Sequence, residues 1–336
     1  QGNMPPGGPI LPEKGTDIMK YYVSIDLGGT FIKAGVVDEE YHILAKSSVP
    51  SQVDGDDEGL ADRIAQAATM AMEQLGLTIK DITSVGVGTP GAVDTVNGVV
   101  VYANNLGFRN TPLGKYLEDR LHTSVYLEND ANVAAYGEVL AGAAAGYKDV
   151  VVVTLGTGVG GGIIIDGKIY RGFNQFGGEL GHMVVQYGGR QCTCGRKGCI
   201  EAYASATGLI NMTKEAMEAH PESALWKVAP TLEEVNGKTA YDGMRMGDPV
   251  ACEVVDTYQN YLGAGLTNFV NIFQPEVLLI GGGICKEGET LLAPLREYIA
   301  KEAYSIEGQP TCQLRVCKLG NDAGTIGAAM LWKLHE

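Results

Sequence analysis

Long apolar runs are missing from this 336-residue sequence: no stretch approaches the roughly 20 residues that a bilayer-spanning helix needs, so no membrane partner is expected. Positive charge is scarce. Lys and Arg number 25 against 40 Asp and Glu, and the net charge of −15 argues against a nucleic-acid partner. The same scarcity leaves no dense basic cluster for a long polyanion such as polyphosphate. The N-terminus lacks the basic start and apolar core of a signal peptide. There is no G-x4-G-K-[ST] run, which excludes a P-loop. No glycine fingerprint opens directly onto a helix, which argues against a dinucleotide site.

What is present describes a compact globule long enough for two domains, with 45% hydrophobic and 19% charged residues. Residues 1–20 are rich in Pro and Gly and have no periodicity; they read as a flexible extension or a remnant foreign to the natural chain, with Met19 a candidate natural start. Glycine is abundant, at 47 residues, and clusters after apolar strands. Three of the seven cysteines lie together and four are scattered (Cys252, Cys285, Cys312, Cys317), a pattern suited to a reducing, cytoplasmic setting.

The densest chemistry lies between Glu179 and Glu201. Glu179-Leu180-Gly181-His182 is followed by Cys192-Thr193-Cys194 and by Cys199-Ile200-Glu201. A histidine ahead of a C-x-C-x4-C run is the donor set of a closed Cys3His zinc site: His182, Cys192, Cys194 and Cys199. A disulfide loop is the alternative. If His182 is a ligand, its second ring nitrogen needs a partner, and in a polar cleft that partner can be a substrate hydroxyl.

Hydrophobic periodicity supplies the frame. Strands are expected at Tyr21–Asp26, Ile32–Val37, His42–Val49, Ile82–Val87, Val99–Val101, Val125–Glu128, Val150–Leu155, Ile163–Ile165, Val277–Ile280 and 313–317. Helices are expected over Asp56–Gly76, Ala131–Ala145, 202–220, 247–271, 288–303 and 324–334, with 221–246 an irregular surface excursion. A strand hairpin with a glycine turn therefore occurs twice, at 21–37 and 150–165, each followed by alternating helices and strands. That repetition points to a duplicated α/β core with a cleft between its halves. The expected smaller domain is 21–128 plus 323–336, and the larger is 129–322, carrying the zinc knuckle 182–199.

The turns carry the remaining candidates. Asp26-Leu27-Gly28-Gly29-Thr30 can offer backbone N–H groups and a hydroxyl to phosphate, with Asp26 toward hydrated magnesium, or be an ordinary glycine hairpin. The run Gly156-Thr157-Gly158-Val159-Gly160-Gly161-Gly162 has the same layout. Gly281-Gly282-Gly283 permits a flat ligand such as adenine to approach, or is simply a tight turn. Asp130 is either a helix N-cap or a general base on a substrate hydroxyl. Asn104 and Asn105 offer amides suited to sugar hydroxyls, or form a turn.

Together these motifs, with Gly88-Thr89-Pro90-Gly91 and Glu128-Asn129-Asp130-Ala131-Asn132, resemble the ROK family of repressors and sugar kinases over nearly the whole chain from Tyr21 to Leu334. The run from Cys199 to Gly208 resembles the bacterial glucokinases of that family. The resemblance implies an actin-like ATPase (ribonuclease H-like) fold of two α/β domains, and ATP-dependent phosphorylation of glucose. It implies ATP and magnesium at Asp26, Gly28, Gly29, Thr30, Lys33, Gly156, Thr157 and Gly158, with Gly282 near the adenosine. Asp130 would be the catalytic base; Gly91, Asn105, Asn129, Glu179, His182 and Glu201 would bind the sugar. It also implies a homodimer or homotetramer. Another hexose (fructose, mannose or N-acetylmannosamine) and a non-catalytic sugar sensor are the competing readings. The N-terminal twenty residues are too short for the helix-turn-helix of the repressor branch.

Overall fold

The structure, a computed structural model, describes residues 19–52 and 55–335. The extension expected over 1–20 lies outside them save for Met19 and Lys20. The chain divides into two compact units: the first comprises the chain up to Ala145, Arg171–Phe176 and the segment from Asn321 onward, and the second comprises Gly146–Tyr170 and Gly177–Gly320.

In the first unit, strands β1 (Tyr21–Leu27), β2 (Phe31–Asp38) and β3 (Ile43–Pro50) form an antiparallel meander, followed by helix α1 (Asp57–Glu73) and strand β4 (Ile82–Thr89). Short strands β5 (Ala92–Asp94), β6 (Val99–Ala103) and β7 (Phe108–Thr111), helix α2 (Leu113–Leu121), strand β8 (Val125–Asn129) and helix α3 (Asp130–Leu140) follow. The main sheet runs β3-β2-β1-β4-β8, with β4 parallel to both β1 and β8. Its core explains the apolar alternation: Val23, Ile25, Val36, Val85 and Val87 are buried against the stripe Leu60, Ile64, Ala67, Ala68 and Ala71 of α1. Asp56 caps α1 by accepting the Gly59 N–H at 2.9 Å. Strands β5 and β7 form a separate antiparallel sheet with β6. At three and four residues they are too short for alternation to announce them.

The first unit extends past the boundary expected at residue 128 because α3 packs on the C-terminal helix Asp322–Ala329 through paired glycines. A Cβ on Gly137 would lie 2.1 Å from the Ala323 carbonyl oxygen, and one on Gly327 would lie 1.9 Å from that of Val133. The two backbones therefore approach more closely than any side chain allows. The C-terminal helix ends at Ala329, followed by a 3-10 turn over Leu331–Leu334.

The second unit repeats the plan. Strands β9 (Val150–Leu155), β10 (Val159–Ile165) and β11 (Lys168–Ile169) are antiparallel neighbours. Helices α4 (Glu201–Ala204), α5 (Ala206–Ala219), α6 (Leu225–Val228), α7 (Thr239–Arg245) and α8 (Pro249–Phe273) precede strand β12 (Val277–Gly281), helix α9 (Glu289–Glu302) and strand β13 (Gln313–Val316). The sheet order β11-β10-β9-β12-β13, with β9, β12 and β13 parallel, has the form of the first sheet. The expected duplicated α/β core is thus present.

Three expectations are corrected here. Gly160–Gly162 are strand residues paired with Val152–Thr154, so the second glycine turn is only Gly156-Thr157-Gly158. Glycine is required inside that strand because a Cβ at Gly161 would lie 2.5 Å from the Val152 carbonyl oxygen and 2.8 Å from Leu180 Cδ1. The segment 221–246 is not an irregular excursion: it contains α6 and α7, and Leu225, Ala229 and Val235 form a buried cluster with Met217 and Ala251. Pro230 follows the end of α6, and Gly243 lies inside α7, where a Cβ would lie 2.7 Å from Leu225 Cδ2 and 2.8 Å from Ala251 Cβ. The expected helix 202–220 is likewise broken at Ser205, whose hydroxyl caps α5 by accepting the Gly208 N–H at 2.9 Å. Among the described residues, no helix is long and apolar enough to cross a membrane.

Candidate functional site

In the first unit, the hairpin register places Asp26 opposite Lys33, and Lys33 Nζ lies 3.2 Å from Asp26 Oδ2. Both side chains are well exposed, so this pair contributes at most about 1 kcal/mol. Gly28 closes the turn by donating its N–H to the Phe31 carbonyl at 3.0 Å, and Ser51 Oγ donates to the Gly28 carbonyl at 2.6 Å. Gly29 and Thr30 are exposed at the tip. Asn105, exposed on a 3-10 turn, lies beside Gly29: a Cβ there would meet the Asn105 carbonyl oxygen at 3.5 Å.

Asp130 is the exposed first residue of α3. It is not the cap. Asn129 Oδ1 accepts the N–H groups of Ala131 at 2.9 Å and Asn132 at 3.3 Å, while Asn129 Nδ2 donates to the Gly91 carbonyl at 3.0 Å. Asn129 does this because it is the last residue in extended conformation, with its side chain over the first turn of the helix. Asp130 is left in the first turn of the helix. Its Oδ1 accepts the Ala131 N–H at 2.8 Å. Gly91 has φ +91°, and a Cβ there would lie 2.1 Å from the Tyr102 carbonyl oxygen. The first unit thus gathers Asp26, the glycine turn and Lys33 at one hairpin, and Gly91, Asn129 and Asp130 at one strand-to-helix junction.

In the second unit, Gly156 N–H donates to the Gly158 carbonyl at 3.0 Å. The turn is braced from α5: Ala206 N–H donates to the Gly156 carbonyl at 2.8 Å and Thr207 Oγ1 to that of Thr157 at 2.7 Å. Glu201 Oε2 accepts the Val159 N–H at 3.0 Å, and its Oε1 accepts Thr193 Oγ1 at 3.0 Å and faces Cys192 Sγ at 3.6 Å. Glu201 therefore bridges the glycine turn and the knuckle. Gly282, just beyond β12, has φ +111°, and a Cβ there would lie 2.0 Å from the Leu155 carbonyl oxygen.

The four expected metal donors converge. One donor atom from each of His182, Cys192, Cys194 and Cys199 lies within 4.8 Å of the others. His182 Nδ1 is 3.7 Å from Cys192 Sγ, and Cys194 Sγ is 3.7 Å from Cys199 Sγ. Tetrahedral zinc with Zn–S bonds of about 2.3 Å separates its sulfurs by about 3.8 Å, so the donor set fits that ion in type, number and spacing. All seven cysteines are free thiols, so the disulfide alternative is not adopted. Burial and the neighbouring thiols push Cys199 up to about 12, while the Arg196 N–H holds Cys194 below its ordinary value. Such a crowd of sulfurs is stabilised by a cation. Glu179 is exposed just before His182, and both line an open cavity of about 530 Å³ with Tyr170, Arg196 and Phe269. A larger cavity of about 970 Å³, bounded by Tyr304, Ile306 and Arg315, contains none of the expected site residues.

The sequence pattern of the ROK family matches residues 22–335. The chain belongs to the ROK family. It is 36% identical over 319 residues to the glucokinase of Halalkalibacterium halodurans, covering 94% of this chain and 96% of that one. It is 36% identical over 313 residues to the glucokinase of Thermotoga maritima, covering 93% and 96%. Among solved structures, the ROK family glucokinase from Streptomyces griseus in complex with glucose and AMPPNP is 39% identical, with TM-score 0.73 over 93% of this chain and 98% of that one. The fold is accordingly the actin-like ATPase fold of ROK sugar kinases.

One part of this ROK site escaped sequence reasoning. Glu128, buried at the end of β8, pairs with Arg171: Arg171 Nε lies 2.5 Å from Glu128 Oε2. Arg171 is 43 positions away, beyond α3 and three strands, and no local pattern joins the two. Thr193 and Thr207 were missed for the same reason. Their hydroxyls act on Glu201 and on the glycine turn only once the chain has folded.

Proposed function

We propose that this ROK protein transfers the γ-phosphoryl group of ATP to glucose, giving glucose 6-phosphate and ADP. What carries the reading is Asp130, a carboxylate held exposed at the start of α3 by the Asn129 cap, in a chain collinear with glucokinases. The glucose 6-hydroxyl oxygen attacks the γ-phosphorus, the bond to the bridging oxygen of ADP breaks, and the hydroxyl proton passes to the Asp130 carboxylate. General-base help of this kind is worth about 10²–10⁴-fold. The N–H groups around Gly28–Thr30 and Gly156–Gly158 receive the phosphates, with Asp26 and Lys33 facing the magnesium-bound nucleotide and Gly282 leaving room for the adenosine. Gly91, Asn105, Asn129, Glu179, His182 and Glu201 are the proposed sugar-binding residues. A site built to pair each hydroxyl rejects a sugar lacking one, because a buried polar group is then left unmatched.

His182, Cys192, Cys194 and Cys199 would hold zinc, which supplies a closed cross-link with no open coordination position. With His182 Nδ1 turned toward the sulfurs, Nε2–H remains to donate to a sugar hydroxyl. The protein is proposed to work in the cytoplasm, where its seven free thiols persist, and as a homodimer or homotetramer.

The deciding experiment is ADP release from MgATP with glucose, fructose, mannose and N-acetylmannosamine in turn, on zinc-loaded protein. Preference for glucose supports the reading. Preference for another hexose keeps the chemistry and changes the substrate, and no release with any of them refutes it.

A further inference from the structure

Glu128 is a carboxylate with 2% exposure, and a buried charge persists only with partners. It has three. Oε1 accepts the Asn129 N–H at 2.9 Å and Asn132 Nδ2 at 3.0 Å, and Oε2 receives Arg171 Nε at 2.5 Å. The first two donors flank Asp130 in the chain. The third comes from Arg171–Phe176, a segment of the first unit whose chain neighbours on both sides belong to the second. That strap has another anchor within the first unit, where Thr95 Oγ1 donates to Gln175 Oε1 at 3.1 Å. Replacing a buried ion pair by apolar side chains is often neutral for stability, so cohesion alone does not call for a charged pair here. Its location does: it grips the residues on either side of Asp130 from within, while the Asn129 cap and the Gly91 carbonyl grip them from outside.

We propose that the Glu128–Arg171 pair, with Asn132, is a positioning device that sets the direction of the Asp130 carboxylate for proton transfer. This deepens the reading of Asp130 as base and rests on it. Without Arg171, the buried Glu128 carboxylate loses its counter-charge. It is then free to turn toward water, and its hold on Asn129 and Asn132 changes. The helix start then rotates, and the base no longer points along the proton's path. Neither Glu128 nor Arg171 need touch the sugar or the nucleotide.

The test is steady-state phosphorylation of glucose by the full chain with MgATP, comparing wild type with Arg171→Gln, Arg171→Lys, Glu128→Gln, Asp130→Asn and the Arg171→Gln/Asp130→Asn double variant. Misplacing a catalytic group by about 1 Å costs roughly 10²-fold, so kcat for Arg171→Gln should fall by about that factor while the glucose KM moves less than about threefold. Arg171→Lys, which retains the charge, should recover part of the loss, and it keeps the test open if Arg171→Gln or Glu128→Gln folds poorly. In the Asp130→Asn background, Arg171→Gln should cost little more, because residues acting as a unit are non-additive. A general structural defect would instead multiply through. An active wild type with inactive Asp130→Asn but unimpaired Arg171→Gln, or with fully additive losses, overturns the positioning role alone. A substantially active Asp130→Asn overturns the base assignment and the positioning role together, as does a wild type inactive on every hexose.

Discussion

Replacing Gly327 by Ala should destabilise the first unit, whereas replacing Gly324 by Ala, three positions earlier on the same helix, should not. A Cβ at Gly324 meets nothing within 4 Å. There, alanine exchanges a flexible residue for the best helix former, a gain of about 0.5–1 kcal/mol. A Cβ at Gly327 would lie 1.9 Å from the Val133 carbonyl oxygen and 2.9 Å from the Gly137 nitrogen. Both are backbone atoms of α3, so no side chain can swing aside. The helices must part by more than about 1 Å to restore ordinary contact, and overpacking of this kind costs about 3 kcal/mol or more. Subtracting the propensity gain leaves a net loss of about 2 kcal/mol, or about 4–8 °C in the melting temperature of a unit this size. Scanning calorimetry on the two single variants, with wild type alongside, reads the difference directly. A Gly327→Ala protein that melts at or above Gly324→Ala would refute the glycine-to-backbone crossing. Because α3 begins at Asp130, Gly327→Ala should also lower kcat measured well below its melting temperature.

The other expectations concern single side chains. Asp130→Asn should bind glucose with nearly unchanged affinity by calorimetry while turnover falls by about 10²–10⁴-fold; near-normal turnover would remove Asp130 as base. Cys194→Ser should lose zinc by atomic absorption and weaken glucose binding together, because His182 and Glu201 both adjoin the knuckle; retained zinc would mean that the donor set is wrong. Asp248 is buried, which by itself would raise its pKa, but Ser223 Oγ and the N–H groups of Val250 and Leu225 donate to it and hold it below 3.8. A carboxyl with a depressed folded pKa stabilises fully above the unfolded value and ceases to do so as pH falls through the folded one. Asp248→Asn should therefore lower the urea midpoint at neutral pH, and the deficit should shrink below about pH 3.8. A deficit independent of pH would show that the charge plays no part.

Much of the fold was readable because its signals are short-range. Alternating Val and Ile in β1, β4 and β9, the helical stripe of α1, and glycines after strands all act within a few residues, so both hairpins and the knuckle donors stood out. Where the reading failed, local chemistry was ambiguous. The strands β5 and β7 are too short to alternate. The segment 221–246 read as an irregular excursion, yet its short elements bring apolar residues together in a cluster with Ala251 of α8. Asn129 and Asp130 are adjacent and equally good caps by type, and only the conformation at the end of β8 assigns the role to Asn129.

By itself, the order of residues determined the duplicated α/β plan and singled out the four knuckle side chains that the fold brings together, because covalent spacing and backbone propensity suffice for these. Only the tertiary structure decided which partners complete them: Arg171 against Glu128, Glu201 between the glycine turn and the knuckle, and α3 seated on the C-terminal helix. Apart from Thr193 against Glu201, 8 positions apart, these contacts join residues tens to hundreds of positions apart. They depend on where the packed sheets bring the chain back on itself, information that no local window contains.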